Sequence, residues 1–195
     1  WFTTLPMWAE LDLDGSTLRV VHACWHAPAM SVLESLSGPG ALMTRETVVG
    51  TRPAVTSGYD ALEVILKGPE IPLGGRKYLD ENKHPRGAAR LKWWDADAVT
   101  LDKAALLPHG ATAPDGSSFG PLPATPVESD RRYLDDVPLI VGHYWRRPPF
   151  GLLAPNVACV DYSAGKGGGA PLVAYRWSGE TVLDPANFVG VPTPS

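Results

Sequence analysis

Two apolar, β-branched runs in this chain end in histidine. Leu139-Ile-Val141 leads through Gly142 to His143, and Leu18-Arg-Val-Val21 leads to His22, with His26 four residues further on. Neutral imidazole is a common metal ligand, and ligands at the ends of separate strands can meet on one ion without a local motif. The chemistry on offer is therefore metal binding; the competing reading is a pair of core strands that happen to end in histidine. The spacing of His22 and His26 would suit a helix, but Val20 and Val21 before it and Pro28 after it favour strand then loop, which weakens a helical zinc motif. Gly142 has no β-carbon and lets backbone or ligand approach His143 closely. Cys24 and Cys159 lie far apart and read as small buried hydrophobes, so no disulfide framework is implied and a reducing compartment is the simpler expectation.

The elements that must position these residues follow from periodicity. Met7 to Leu13 alternates, with Met7, Ala9, Leu11 and Leu13 on the half-buried face, and Asp14-Gly15-Ser16 turns it into a return strand, Thr17 to His22. Pro28 can start a short helix that Gly38-Pro39-Gly40 ends. Ser57 can cap a second helix, about Tyr59 to Lys67, with Tyr59, Leu62, Ile65 and Leu66 on its packed face and Gly68 closing it. Glu70 to Gly75 reads as loop, after which Arg76–Leu79 and Ala88–Trp94 can pair across a polar turn, putting Arg90 and Lys92 on one face. Trp93-Trp94 reads as a buried anchor rather than a base-stacking pair. From Leu107 to Val127 the density of Pro, Gly, Ser and Thr predicts a long surface loop with a solvated His109. The pair Asp135-Asp136 reads as a charged loop end. Asn156–Tyr162 and Pro171–Trp177 read as partner strands in a run of antiparallel strands, joined by Gly165-Lys-Gly-Gly-Gly169 as a hairpin loop.

Composition bounds the class. With 195 residues and 44% apolar content the chain can build one domain around a real core. Seventeen basic against twenty-one acidic residues give a formal charge of −4 with no long block of either sign, which argues against a nucleic-acid coat. No apolar segment is long enough to span a bilayer and the start lacks a secretory pattern, so a cytoplasmic protein is expected. The chain opens on Trp1-Phe2, which suggests a piece of a longer protein.

Two familiar catalytic patterns fail on inspection. A phosphate-binding Walker loop ending at Gly165-Lys166 would need Gly at 160, where Val160 stands, and Ser or Thr at 167, where Gly167 stands. Asp161-Tyr-Ser163-Ala-Gly165 lacks the first Gly of a nucleophile elbow, and no histidine follows Ser163 to act as the base of an α/β-hydrolase. A structural zinc site is also poorly supported, because the cysteines have no short paired spacing.

Taken together, Val21-His22-Ala23, Lys67-Gly-Pro-Glu70, Trp93-Trp94, Val141-Gly-His-Tyr-Trp145 and Asn156-Val-Ala-Cys-Val-Asp-Tyr-Ser163 followed by Lys166-Gly-Gly resemble the C-terminal half of calcineurin-like metallophosphoesterases. The resemblance is specifically to the bacterial branch similar to diadenosine tetraphosphatases and serine/threonine phosphatases. The resemblance spans almost the whole chain. It implies an α/β fold, the four-layer α/β/β/α sandwich, of which residues 1–195 would be the C-terminal, strand-rich part of one domain, with an inserted helical and loop segment at about 41–130. Trp145 stands where many members carry a second histidine, which is similar to the phosphatase-type pattern. The family's Asp-x-His, Gly-Asp-x-x-Asp-Arg-Gly and Gly-Asn-His-Glu motifs are absent from these residues and are expected upstream of Trp1.

The resemblance further implies a dinuclear metal site in which His22 and His143 ligate one ion, the metals being manganese, iron, zinc or cobalt. Two such ions about 3.5–4 Å apart activate a bridging water for in-line attack on phosphorus. Arg90, Lys92 and Arg146 are the candidate cations for the phosphoryl group, solvated surface charge being the competing reading of each. His26 is a candidate acid or hydrogen-bond donor nearby, or a structural residue. The expected substrate is a phosphorylated small molecule or phosphoprotein, and the expected activity is hydrolysis of a phosphomonoester or nucleotide polyphosphate. The isolated chain is expected to turn over negligibly and to self-associate through the sheet face its other half would cover. The alternative is a non-catalytic binding or assembly module that keeps half of the fold.

Overall fold

The computed structural model describes residues 2–42, 44 and 57–192, and the fold is mixed α/β, rich in short strands with few helices. In chain order it begins with β1 (Trp8–Leu13), β2 (Ser16–Val21), α1 (Ala27–Ser37) and α2 (Ser57–Lys67). There follow β3 (Glu70–Pro72), β4 (Tyr78–Leu79), β5 (Pro85–Arg86), β6 (Ala88–Leu91), α3 (Leu101–Ala104) and β7 (Ala105–Leu106). The chain ends with β8 (Leu139–Val141), β9 (Leu152–Ala154), β10 (Val157–Cys159), β11 (Leu172–Tyr175) and β12 (Phe188–Val191). Two compact units result, one of residues 1–67 and 135–195, the other of residues 68–134. The second unit is thus inserted in sequence, and α2 belongs to the first.

In the first unit five strands form a sheet of order β1-β2-β8-β10-β9, so Leu139–Val141 is its central strand. Its apolar run fits that place: Leu139 and Val141 are buried. The pairs β2–β8 and β8–β10 are parallel, β1–β2 and β9–β10 antiparallel. The predicted hairpin at residues 7–22 forms, its two-residue turn made by Asp14 at φ 51° and Gly15 at φ 83°, the left-handed pair that matches strand twist. Its outer strand is wetter than the alternation suggests, with Leu11 and Leu13 exposed, because β1 is the sheet edge.

Pro28 opens α1 and Gly38 ends it, as the sequence predicts. Helix α2 packs against α1, and its buried residues are Gly58, Ala61, Val64 and Ile65; of the predicted face only Ile65 is buried. Tyr59, Leu62 and Leu66 are only partly buried.

The predicted antiparallel series in the C-terminal third is corrected in two places. β10 pairs with β8 in parallel and turns tightly through Pro155-Asn156 to β9, and β11 pairs with β12 rather than with β10. The glycine-rich segment therefore closes no hairpin. One turn of 3-10 helix, Ala164–Lys166, follows β10, and Gly167, Gly168 and Gly169 all take positive φ. β11–β12 has two faces of different character. Val173, Phe188 and the partly buried Tyr175 belong to a cluster with Ala158, Tyr162 and Leu183, which Phe150 also packs against. The cross-strand pair Leu172 and Val191 and the neighbouring Val189 are 63%, 58% and 45% exposed, an apolar face open to solvent.

In the second unit β6 is central in a sheet of order β3-β6-β7. The predicted pairing of 76–79 with 88–94 is corrected: β4 closes on β5 across a turn in which Asp80 accepts from Asn82 and His84, freeing β6 to pair with β3, a segment the sequence reads as loop. Trp93 and Trp94 are buried, and Trp93 meets Tyr133 edge to face, as expected of an anchor. Residues 107–127 carry no strand or helix, and His109 is exposed, in line with the sequence.

Candidate functional site

Parallel pairing of β2, β8 and β10 brings three strand ends to one sheet edge. His22 follows β2, Gly142-His143 follows β8, and Val160-Asp161 follows β10. The two imidazole rings converge, with centroids 5.7 Å apart and planes tilted by 56°. The carboxyl edge of parallel strands is where sheets of this kind place ligands, since each strand delivers its next residue there.

The chain fixes this edge with several bonds. Gly142 N donates to His22 O at 2.9 Å, Val160 N to Val141 O at 2.9 Å and Arg146 N to Asp161 O at 2.8 Å. The Tyr144 hydroxyl donates to Ala23 O at 3.1 Å, and its ring stands edge-on to His143 at 5.5 Å. His143 at φ 65° and Trp145 at φ 41° are both left-handed, a conformation seldom adopted by such residues and seen where surroundings over-determine it. A β-carbon on Gly142 would meet His22 O at 3.4 Å and Asp161 Cβ at 3.9 Å, ordinary contact, so the close approach expected there is not one that glycine alone permits.

The His22 ring is pushed below its usual 6.5 chiefly by desolvation at the strand end, with the Asp161 carboxylate pulling the other way. The net direction favours neutral imidazole, the form that binds metal. Two imidazoles sharing one ion at ordinary metal–nitrogen distances have ring centroids roughly 4.5–6 Å apart, a range that includes the 5.7 Å of the His22–His143 pair. Among the described residues no group of three or more His, Cys, Asp or Glu side chains is placed to hold a metal.

Of the other expected site residues, Arg146 lies on the same loop as His143, and its Nε is buried with no hydrogen-bond partner among the described residues. His26 caps α1, its Nδ1 accepting from Ala29 N at 3.2 Å, which gives it a structural task. Arg90 and Lys92 belong to the second unit, where the Arg90 guanidinium is engaged by Gly68 O at 3.0 Å and Glu70 at 3.1 Å. Cys159 is buried, its thiol donating to Gly142 O at 3.4 Å, and burial pushes that thiol up. It is a packing residue, as the sequence suggests. Asp135 proves to be more than a loop end: with Glu10 it pairs with Arg19 and joins β2 to the segment entering β8.

Asp161, Tyr144 and the Trp145–Lys166 contact, in which the ammonium lies 3.5 Å from the ring centroid, were not distinguished from sequence. Asp161 was hidden because residues 156–162 read as one strand; ending that strand at Cys159 puts the carboxylate at its tip. No family model, no curated protein and no solved structure matches the chain. No helix among the described residues is long and apolar enough to cross a membrane.

Proposed function

We propose that the chain is part of a metal-dependent phosphoesterase acting on a phosphomonoester or a nucleotide polyphosphate, with the calcineurin-like sandwich as its full fold. The observation that supports this best is the meeting of His22 and His143 at the ends of two adjacent parallel strands, 5.7 Å between ring centroids. In this reading both side chains hold one divalent ion of manganese, iron, zinc or cobalt, and the chain supplies only part of a dinuclear site. When bound, such ions lower the pKa of a water and polarise the phosphoryl oxygens.

The residues of the chain do the rest by position. His22, whose ring is held toward the neutral form, and His143 present ring nitrogens to the ion. Tyr144 and Gly142 tie the two histidine-bearing segments together, so that the ligand spacing is set before metal arrives. Arg146 offers a cationic donor to the phosphoryl group in line with its orphaned Nε. The substrate is a phosphorylated small molecule or phosphoprotein.

The test is manganese-stimulated hydrolysis of p-nitrophenyl phosphate and diadenosine tetraphosphate, with His143→Ala as control and intact mass measured beside it. Stimulated turnover that the substitution abolishes supports the enzyme. A protein of mass above 20.9 kDa that binds manganese yet hydrolyses neither substrate would move the reading to a binding or assembly module, whereas the 20.9 kDa chain by itself is expected to turn over negligibly.

A further inference from the structure

We propose that Asp161 is the charge-bearing residue of the metal site on the histidine pair: its carboxylate, at the tip of β10, attracts the divalent ion that His22 and His143 hold, without joining them as a ligand. The inference rests on the metal reading above and adds to it a positioning residue that sets how tightly the ion is bound.

The placement comes from register. Val21 of β2, Val141 of β8 and Cys159 of β10 stand side by side in parallel strands, so the chain delivers His22, Gly142-His143 and Val160-Asp161 to one edge. A β-carbon on Gly142 would meet both His22 O at 3.4 Å and Asp161 Cβ at 3.9 Å. His22 and Asp161 thus flank a residue with no side chain to stand between them. The tip of β10 is held there by Arg146 N, which donates to Asp161 O at 2.8 Å, and by Ser163 N, which donates to the Asp161 carboxylate at 2.9 Å.

The electrostatics of the edge favour a cation. Desolvation holds the His22 ring toward its neutral form, while the Asp161 carboxylate, acting through space, favours positive charge there. An ion against that ring meets the same pull. Imidazoles are neutral ligands, so an ion held by two of them keeps its full charge, and a carboxylate near a partly desolvated site acts on that charge more strongly than it would in water. Among the described residues no cationic side chain forms an ion pair with Asp161, which leaves the carboxylate available. Nor are three His, Cys, Asp or Glu side chains among the described residues placed to hold one metal. Asp161 therefore acts from beside the ligands, where carboxylates tune metal affinity.

The experiment is manganese titration followed by electron paramagnetic resonance for wild type, Asp161→Asn, Asp161→Glu and His22→Ala, at low and raised potassium chloride, with a thermal melt of each. Asp161→Asn keeps an acceptor for Ser163 N and loses the charge, whereas Asp161→Glu keeps the charge but is too long for that two-residue turn. Asp161→Asn should melt near wild type and bind manganese about tenfold more weakly, as for other groups beside metal ligands. Asp161→Glu should melt lower and retain most of the affinity. Salt should weaken binding by wild type more steeply than binding by Asp161→Asn, because it screens the carboxylate. Wild-type affinity in Asp161→Asn, equal losses in Asp161→Asn and Asp161→Glu, or wild-type binding that salt leaves unchanged overturns the inference and leaves the histidine pair standing. A loss in Asp161→Asn as large as in His22→Ala also overturns it, by making Asp161 a ligand. No manganese binding by wild type, or unchanged binding in His22→Ala, overturns the metal reading itself and the inference with it.

Discussion

Tyr144→Phe isolates the bond that ties the two histidine segments together. The ring is retained, so its edge contact with His143 at 5.5 Å remains, while the hydroxyl donation to Ala23 O at 3.1 Å is lost. Ala23 is fully buried, which keeps water from replacing the donor readily. A net hydrogen bond contributes about 1 kcal/mol, rising toward about 3 kcal/mol when a buried partner is left unsatisfied. For a chain of this length each kcal/mol lowers Tm by about 2–4 °C, so a fall of roughly 2–12 °C is expected. Because Ala23 directly follows His22 and Tyr144 directly follows His143, the same change should loosen the ligand spacing. Removal of a group that orients metal ligands lowers affinity by about tenfold or more. Thermal melts with and without manganese, beside a manganese titration, measure both effects. A variant that melts and binds manganese like wild type would refute the claim that this bond sets the pair.

Other expectations follow from elements around the edge. A β-carbon at Gly190 would lie 2.4 Å from Phe150 Cζ, whose ring is hemmed in by Tyr162 at 5.0 Å; Gly190→Ala should cost about 1–3 kcal/mol by overpacking, read as a lower denaturant midpoint. Burial alone would raise the Glu180 carboxyl, but hydrogen bonds from Ser178 N, its own backbone N–H, the Tyr175 hydroxyl and Asn187 leave it below its usual 4.5. Its stabilising effect is thus complete above pH 4.5 and lost as pH falls through the depressed value, and Glu180→Gln should flatten that acid limb of a stability–pH curve. Leu172→Lys puts a charge on the open apolar face of β11–β12 and should lower self-association measured by sedimentation velocity; no change would remove that face from the interaction.

How much was legible in the sequence depends on how local each signal is. The hairpin at residues 7–22 was written in alternation and an Asp-Gly turn, and α1 in its Pro28 and Gly38, because those features act within a few residues. That Leu139–Val141 is a core strand could be read from its apolar run, but its parallel pairing with β2 and β10 could not, since the first joins Arg19 to Leu139, more than a hundred residues away, and the second leaves out β9, which lies between β8 and β10 in sequence. Missing that pairing hid Asp161, and it assigned β11 to the wrong partner. His22 and His143 could be named because each ends a β-branched run; their convergence needed the sheet. The role of His26 as a cap is not legible in the sequence, because histidine is an uncommon residue at that position. Arg90 was singled out for its charge, whereas Glu70, brought opposite it by the unforeseen β3–β6 pairing, engages that charge within the sheet.

The most direct measurement is manganese binding by electron paramagnetic resonance for wild type, His22→Ala and His143→Ala, with thermal melts to show that each remains folded. If the two rings share an ion, wild type binds manganese and each single substitution weakens binding by a similar large factor. Folded variants that bind manganese as tightly as wild type would contradict a metal site on this histidine pair.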